Sequence, residues 1–287
     1  MQAREACTSA GPARWCAHGK VPLRRRNRDH VMKRPLVIAH RGFSARYIEN
    51  TLTAYRAAVA AGADIVESDA RLSKDGQVWS CHDATLQRLI GDPRAIADLT
   101  SSDLSAVELP GGERLTTLRQ AVRQIAHERP VLIDIKTDDL DLIDAVVREV
   151  RSLNAVKHVW IGARSVAQLQ RAKATEPDLS LLAFLPDYAM AKEFAEAGAR
   201  AFRVWECDLV DGAAAPLVES HRTIWVTTGG RGTPFLVGDS SPDSIRRILY
   251  RRPSGILLND PMLLIQNCSG LGTTSAAPMD LAGGAST

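Results

Sequence analysis

A chain of 287 residues, 45% of them hydrophobic and 24% charged, has enough apolar side chain for one sizeable core and is too apolar for a disordered chain. Its net charge of +3 is lopsided: residues 1–34 hold nine Lys/Arg against two acids, so the remainder carries −4. A mildly acidic body offers no footprint for nucleic acid, and five cysteines without a C-x-x-C spacing offer no disulfide framework.

Residues 1–34 are Arg-rich but lack the apolar stretch of a secretory signal, and no run reaches the ~18 apolar residues of a spanning helix. They read as a basic, disordered arm, with a transit peptide or an anchor for an acidic surface as the other readings. A true start at Met32, opening MKRPLVIAHRG, would remove the arm. The expected location is cytoplasmic, with membrane contact at most through this arm.

The body spans residues 35–266. Its strand candidates are LVIAH (36–40), ADIVESD (63–69), QVWSCH (77–82), VLIDI (131–135), HVWIGA (158–163), SLLAFL (180–185), AFRVW (201–205), TIWVT (223–227) and GILLN (255–259). Amphipathic helical runs lie between most of them, starting with TLTAYRAAVAAG, for which Asn50 is the expected N-cap and Gly62 the stop. Strand and helix in alternation imply parallel pairing, and about eight such units imply a (β/α)8 TIM-type barrel in the α/β class. Nine candidates compete for eight places. The SKDG turn leaves no room for a helix between the second and third, so the barrel is expected to be irregular there. Residues 267–287, small and aperiodic, read as a disordered tail.

Barrel active sites gather at the C-terminal ends of the strands. In order, those ends carry His40-Arg41-Gly42, Glu67-x-Asp69, His82-Asp83 and Asp134-x-Lys136. Glu67 and Asp69, two apart on a strand, share a face, and like-charged carboxylates so close stay ionised only beside a cation. An all-oxygen set suits one hard divalent ion, Mg²⁺ or Ca²⁺, with Asp134 as a third ligand. His40 and His82 suit general acid and general base work near neutral pH, and the residues leave open which does which. Arg41 and Lys136 add fixed positive charge. Together these residues describe a site for an anion that gains charge on reacting, which fits phosphoryl chemistry. Cys81 is expected in the core, GGRG (229–232) in a loop at the barrel mouth, and His127, His158 and His221 on the surface.

At these residues the sequence resembles the glycerophosphodiester phosphodiesterase family. AHRGFSARYIENT, ESD, DGQVWSCHD with Leu86 and Arg88, and IDIK follow the order of its motifs. IWVT and GILLNDP resemble its closing strands. The resemblance implies a barrel enzyme that cleaves small glycerophosphodiesters to sn-glycerol 3-phosphate and an alcohol with a divalent metal. It also implies His40 and His82 as the acid–base pair, Arg41 and Lys136 at the phosphate, and Glu67 and Asp69 at the metal. Glu49 would orient the site or lie near the ion. Trp225 would line the substrate mouth, with a core position as the other reading. Asp134 stands where the family usually has Glu. Sphingomyelinase D enzymes have Asp-x-Lys there, so a phospholipase D acting on lysophospholipids or sphingolipids is the alternative. A barrel that binds phosphodiesters without cleaving them is the non-enzymatic one. Head group and oligomeric state stay open.

Overall fold

The computed structural model describes residues 34–269; the expected arm, Arg34 aside, and the tail beyond Ser269 lie outside the described residues. Ten strands form one sheet: β1 (Leu36–Ala39), β2 (Ile65–Leu72), β3 (Val78–Ser80), β4 (Thr116–Thr117), β5 (Val131–Ile135), β6 (Val159–Ala163), β7 (Ser180–Phe184), β8 (Ala201–Trp205), β9 (Thr223–Thr227) and β10 (Gly255–Leu258). Their order is β1-β10-β9-β8-β7-β6-β5-β2-β3-β4, and a further β1–β2 pairing closes the ring. Eight parallel strands therefore make the barrel. β3 and β4 stand outside it as an antiparallel extension of β2.

The surplus candidate was QVWSCH. Arg71 at the end of β2 pairs with Trp79 of β3. The SKDG turn returns the chain, with the Gly76 N–H donating to the Ser73 carbonyl at 3.0 Å. A parallel neighbour would need a crossover of a dozen residues or more, which this segment lacks. The excursion before β5 has its own apolar cluster, including Trp79, Leu86, Ile96, Leu104 and Leu115, which fixes the loop carrying His82. Cys81 is buried in it, as expected.

Alternation along the strands sorts the side chains. Val37, Val66, Ile133, Ile161, Phe202 and Val226 face the helices. Ile38, Ile65, Leu132, Trp160, Leu182, Trp225 and Leu257 face inward and plug the barrel. The next inward positions, above this plug, are His40, Glu67, Asp134, Arg203 and Asn259. Helices return the chain between most strands, with starts capped by hydroxyls of Thr51, Thr117, Ser165 and Ser241. The last helix, Pro261–Cys268, runs past the boundary read at 266. No helix among the described residues is long and apolar enough to cross a membrane.

Candidate active site

Glu67 and Asp69 on β2 and Asp134 on β5 are all buried, and each offers an oxygen within 4.8 Å of the other two. The register places Asp69 directly beside Asp134. One oxygen of each β2 acid is tethered. The Arg41 backbone N–H donates to Glu67 Oε2 at 2.7 Å, and Asn50 Nδ2 donates to Asp69 Oδ2 at 2.7 Å. The other two, Glu67 Oε1 and Asp69 Oδ1, are buried without a hydrogen-bond donor, although Lys136 Nζ stands 3.1 Å from the latter. Burial, followed by the Asp69 and Asp134 charges, pushes Glu67 well above the usual carboxylate range. Burial also opposes ionisation of Asp69, but Lys136 and Arg41 outweigh it and hold that carboxyl low. Two orphaned acceptors beside a third acid fit a hard cation: the buried trio could hold an ion. Asp134 is the least free member. Arg164 grips both its oxygens, at 2.5 and 2.9 Å, and Lys136 donates to Oδ2 at 2.9 Å.

The first loop is set by close approach. A Cβ on Gly42 would lie 2.7 Å from the Ala54 carbonyl carbon, and its φ is +80°. Glycine there lets the loop press on helix Leu52–Ala60. Arg41 and Asn50 beside it also adopt positive φ, +55° and +59°. Asn50 is therefore not the N-cap expected of it. Thr51 caps the helix by accepting from the Ala54 N–H, while Asn50 turns inward to Asp69. The Tyr55 hydroxyl lies 3.1 Å from Asn50 Oδ1, to which it can donate, and 2.8 Å from Ser68 Oγ, from which it can accept.

The two histidines differ. His40 is buried, and its Nδ1 lies 2.7 Å from Asn259 Oδ1. Asn259 Nδ2 donates to Asp239 Oδ1 at 2.8 Å and to the Val237 carbonyl, which fixes the amide so that its oxygen faces His40. His40 thus donates from Nδ1 and leaves Nε2 as an acceptor. Burial, then Arg41, brings its pKa down to about 4. His82 is half-exposed, and its Nδ1 lies 2.7 Å from Asp83 Oδ1, with Arg88 Nε on the other oxygen. Burial lowers His82 also, with Asp69 and Asp83 opposing. Both imidazoles bear on the charge of Asp69.

Glu49 does not face the ion site freely. Arg41 Nη1 reaches its oxygens at 3.1 and 3.0 Å, and Arg88 Nη1 and Nη2 at 2.9 and 2.6 Å. Both Glu49 oxygens are thus bonded by the two arginines. Lys136 is buried between Asp69 and Asp134. Trp225 does not line the mouth. It lies in the apolar plug with its ring centroid 4.8 Å from that of Trp160, because it sits mid-strand, below the C-terminal end of β9. His127, His158 and His221 are exposed, and GGRG follows β9 at the mouth, where Gly229 N–H donates to Glu206.

Residues 40–208 match the model of the glycerophosphoryl diester phosphodiesterase family. The chain belongs to this family. It is 27% identical over 158 residues to a glycerophosphodiester phosphodiesterase of Caldanaerobacter subterraneus subsp. tengcongensis, covering 51% of this chain and 65% of that one. It is 31% identical over 157 residues to a lysophospholipase D of Rattus norvegicus, covering 50% and 49%. The chain thus spans about half to two-thirds of the length of these curated relatives. Among solved structures, a phosphodiesterase of Oleispira antarctica in complex with the product sn-glycerol-3-phosphate superposes with a TM-score of 0.69 at 18% identity, over 81% of this chain and 96% of that one.

Sequence reasoning missed Asn50 as the anchor of Asp69, and it missed Asn259 as the partner of His40. It also missed Arg164 and Arg203 altogether. For Asn50 the signal was its place in the ENT motif. For the two arginines it was a charge at an inward position of a barrel strand or just past its end.

Proposed function

We propose that the protein hydrolyses glycerophosphodiesters to sn-glycerol 3-phosphate and an alcohol, using one divalent ion, Mg²⁺ or Ca²⁺. The observation that carries this is the pair of orphaned, buried oxygens of Glu67 and Asp69, flanked by two imidazoles. Glu67 and Asp69 would hold the ion, with Asp134 as a third oxygen donor, weakened because Arg164 and Lys136 already claim it. When bound, the ion supplies positive charge at the phosphoryl oxygens.

Arg41 and Lys136 stand beside the same acids and would bind the diester's remaining charged oxygen, holding the phosphorus against the imidazoles. His40 is suited to be the base. It is neutral, its Nδ1 proton is committed to Asn259, and Nε2 is free to accept a proton from water or from the glycerol 2-hydroxyl. His82 is suited to be the acid. Asp83 favours its imidazolium, and Arg88, itself held by Glu49, donates to Asp83, so Nε2 can protonate the departing alkoxide. Glu49 is a positioning residue for both Arg41 and Arg88.

The test is product analysis by phosphorus NMR after incubation with glycerophosphodiesters and Mg²⁺ or Ca²⁺. The reading expects sn-glycerol 3-phosphate. A persistent cyclic phosphate from lysophospholipids would favour the phospholipase D alternative, and absence of any product would leave a binding barrel.

A further inference from the structure

Across the mouth from the acids, β6, β7 and β8 present a different surface. A Cβ on Gly162 would collide with the Phe184 ring at 2.2 Å, so glycine on β6 opens space for that ring inside the barrel. Two guanidinium groups lie on it: Arg164 Cζ at 4.6 Å and Arg203 Cζ at 5.2 Å from its centroid. Arg203 also lies 3.9 Å over Trp205. Arg164 is answered by Asp134, and Arg231 by Asp208. Arg203 is answered by nothing: among the described residues it makes no ion pair, and its Nε is buried without an acceptor. Burial pulls its pKa down to about 10, still far above neutrality, so it stays charged. A largely buried cation is costly unless it is paired, and the two rings supply attraction but no carboxylate or acceptor for Nε.

We infer that Arg203, stacked between Phe184 and Trp205 and backed by Arg164, selects phosphodiesters whose alcohol arm carries its own negative charge, a carboxylate or a second phosphate. The inference rests on the phosphodiesterase reading above. Glycerol is uncharged, so a second charge can enter only on the alcohol arm. A quaternary ammonium head would normally be drawn to aromatic faces like these. Here the guanidinium groups already cover the rings, and like charge repels a cationic head.

The experiment compares kcat/KM of the full chain, with Mg²⁺ or Ca²⁺, on glycerophosphoglycolate, whose arm carries a carboxylate and no ammonium, glycerophosphoglycerol and glycerophosphocholine at low ionic strength. The expected order is glycolate above glycerol above choline, with a glycolate-to-choline ratio of ~10 or more that shrinks as salt rises. Arg203→Gln is expected to collapse that ratio toward 1, and Arg203→Lys to retain most of it. The ratio and its salt dependence in the unmodified protein test the proposal even if Arg203→Gln does not fold. Turnover with choline equal or preferred overturns it. So does an Arg203→Gln variant that slows all three substrates equally, which would place Arg203 at the reacting phosphate. No turnover of any diester overturns the phosphodiesterase reading itself, and this inference with it.

Discussion

The two halves of the barrel mouth are built on opposite electrostatic plans. Over β1, β2, the β3 loop and β5, carboxylates and cations interlock: Glu49 with Arg41 and Arg88, Asp69 and Asp134 with Lys136, Asp83 with His82. Glu67 Oε1 and Asp69 Oδ1 are still left there without a hydrogen-bond donor, Oδ1 with only the Lys136 charge 3.1 Å away, and Arg41 Nε without an acceptor, 3.4 Å from Asp69 Oδ2. Over β6 to β8 the cations lie on aromatic rings, and what is left unsatisfied is a donor, Arg203. Unanswered groups of opposite sign mark where a cation and an anion belong.

The largest expected effect comes from removing the two histidines proposed to carry protons. His40→Ala and His82→Ala are each expected to lower kcat by ~10²–10⁴-fold while the circular dichroism spectrum is retained. A diester with a p-nitrophenol leaving group needs no acid, so it should restore much of the rate in the His82 variant and little in the His40 variant. Equal rescue would sink the assignment of base and acid.

The next effect concerns Glu67. Burial and the neighbouring acids hold its carboxyl well above the usual carboxylate range, so ion binding and proton release at this residue are linked. Calorimetric titration with Mg²⁺ or Ca²⁺ should therefore release protons, read from buffers of different ionisation enthalpy. Affinity should rise with pH. Glu67→Gln should bind neither ion. Buffer-independent heats would contradict this.

A smaller effect separates His40 from solvent-exposed histidines. Its folded pKa, about 4, lies below the unfolded value of 6.5, so the unfolded chain takes up the extra proton. Its contribution to stability is complete above pH 6.5 and is lost as pH falls toward 4. Between pH 7 and 5 the protein should lose about 2 kcal/mol more than His40→Gln does, measured by urea unfolding. Equal losses would mean that His40 is solvated. Smallest in its effect on catalysis is Trp225→Phe: about 1–2 kcal/mol of stability and an unchanged KM, because the ring plugs the barrel and does not touch substrate. A raised KM would put Trp225 back at the mouth.

Much of the first half was legible in sequence, because its chemistry lies on short, locally ordered motifs. Period-two alternation put Glu67 and Asp69 on one face, and strand ends named His40, His82, Asp134 and Lys136. Partners set by the closed barrel were not legible. Asn259 meets His40 only because β10 closes on β1. Glu49 read as a site acid, and only the fold shows both its oxygens bound by arginines. Asn50 read as a cap from local pattern, yet burial of Asp69 recruited it. Arg203 was hidden in AFRVW, where one charged residue in an apolar strand has no local partner to give it meaning. Trp225 followed family likeness to the mouth, but its mid-strand position decided otherwise.

The proposed chemistry requires a divalent cation at Glu67 and Asp69. The most direct measurement is sn-glycerol 3-phosphate release before chelation, after chelation, and after adding back Mg²⁺ or Ca²⁺, in the unmodified protein and in Glu67→Gln and Asp69→Asn. Loss on chelation and recovery on re-addition, with neither variant recovering, is the predicted result. Turnover indifferent to chelator, or variants rescued as fully as the unmodified chain, would contradict it.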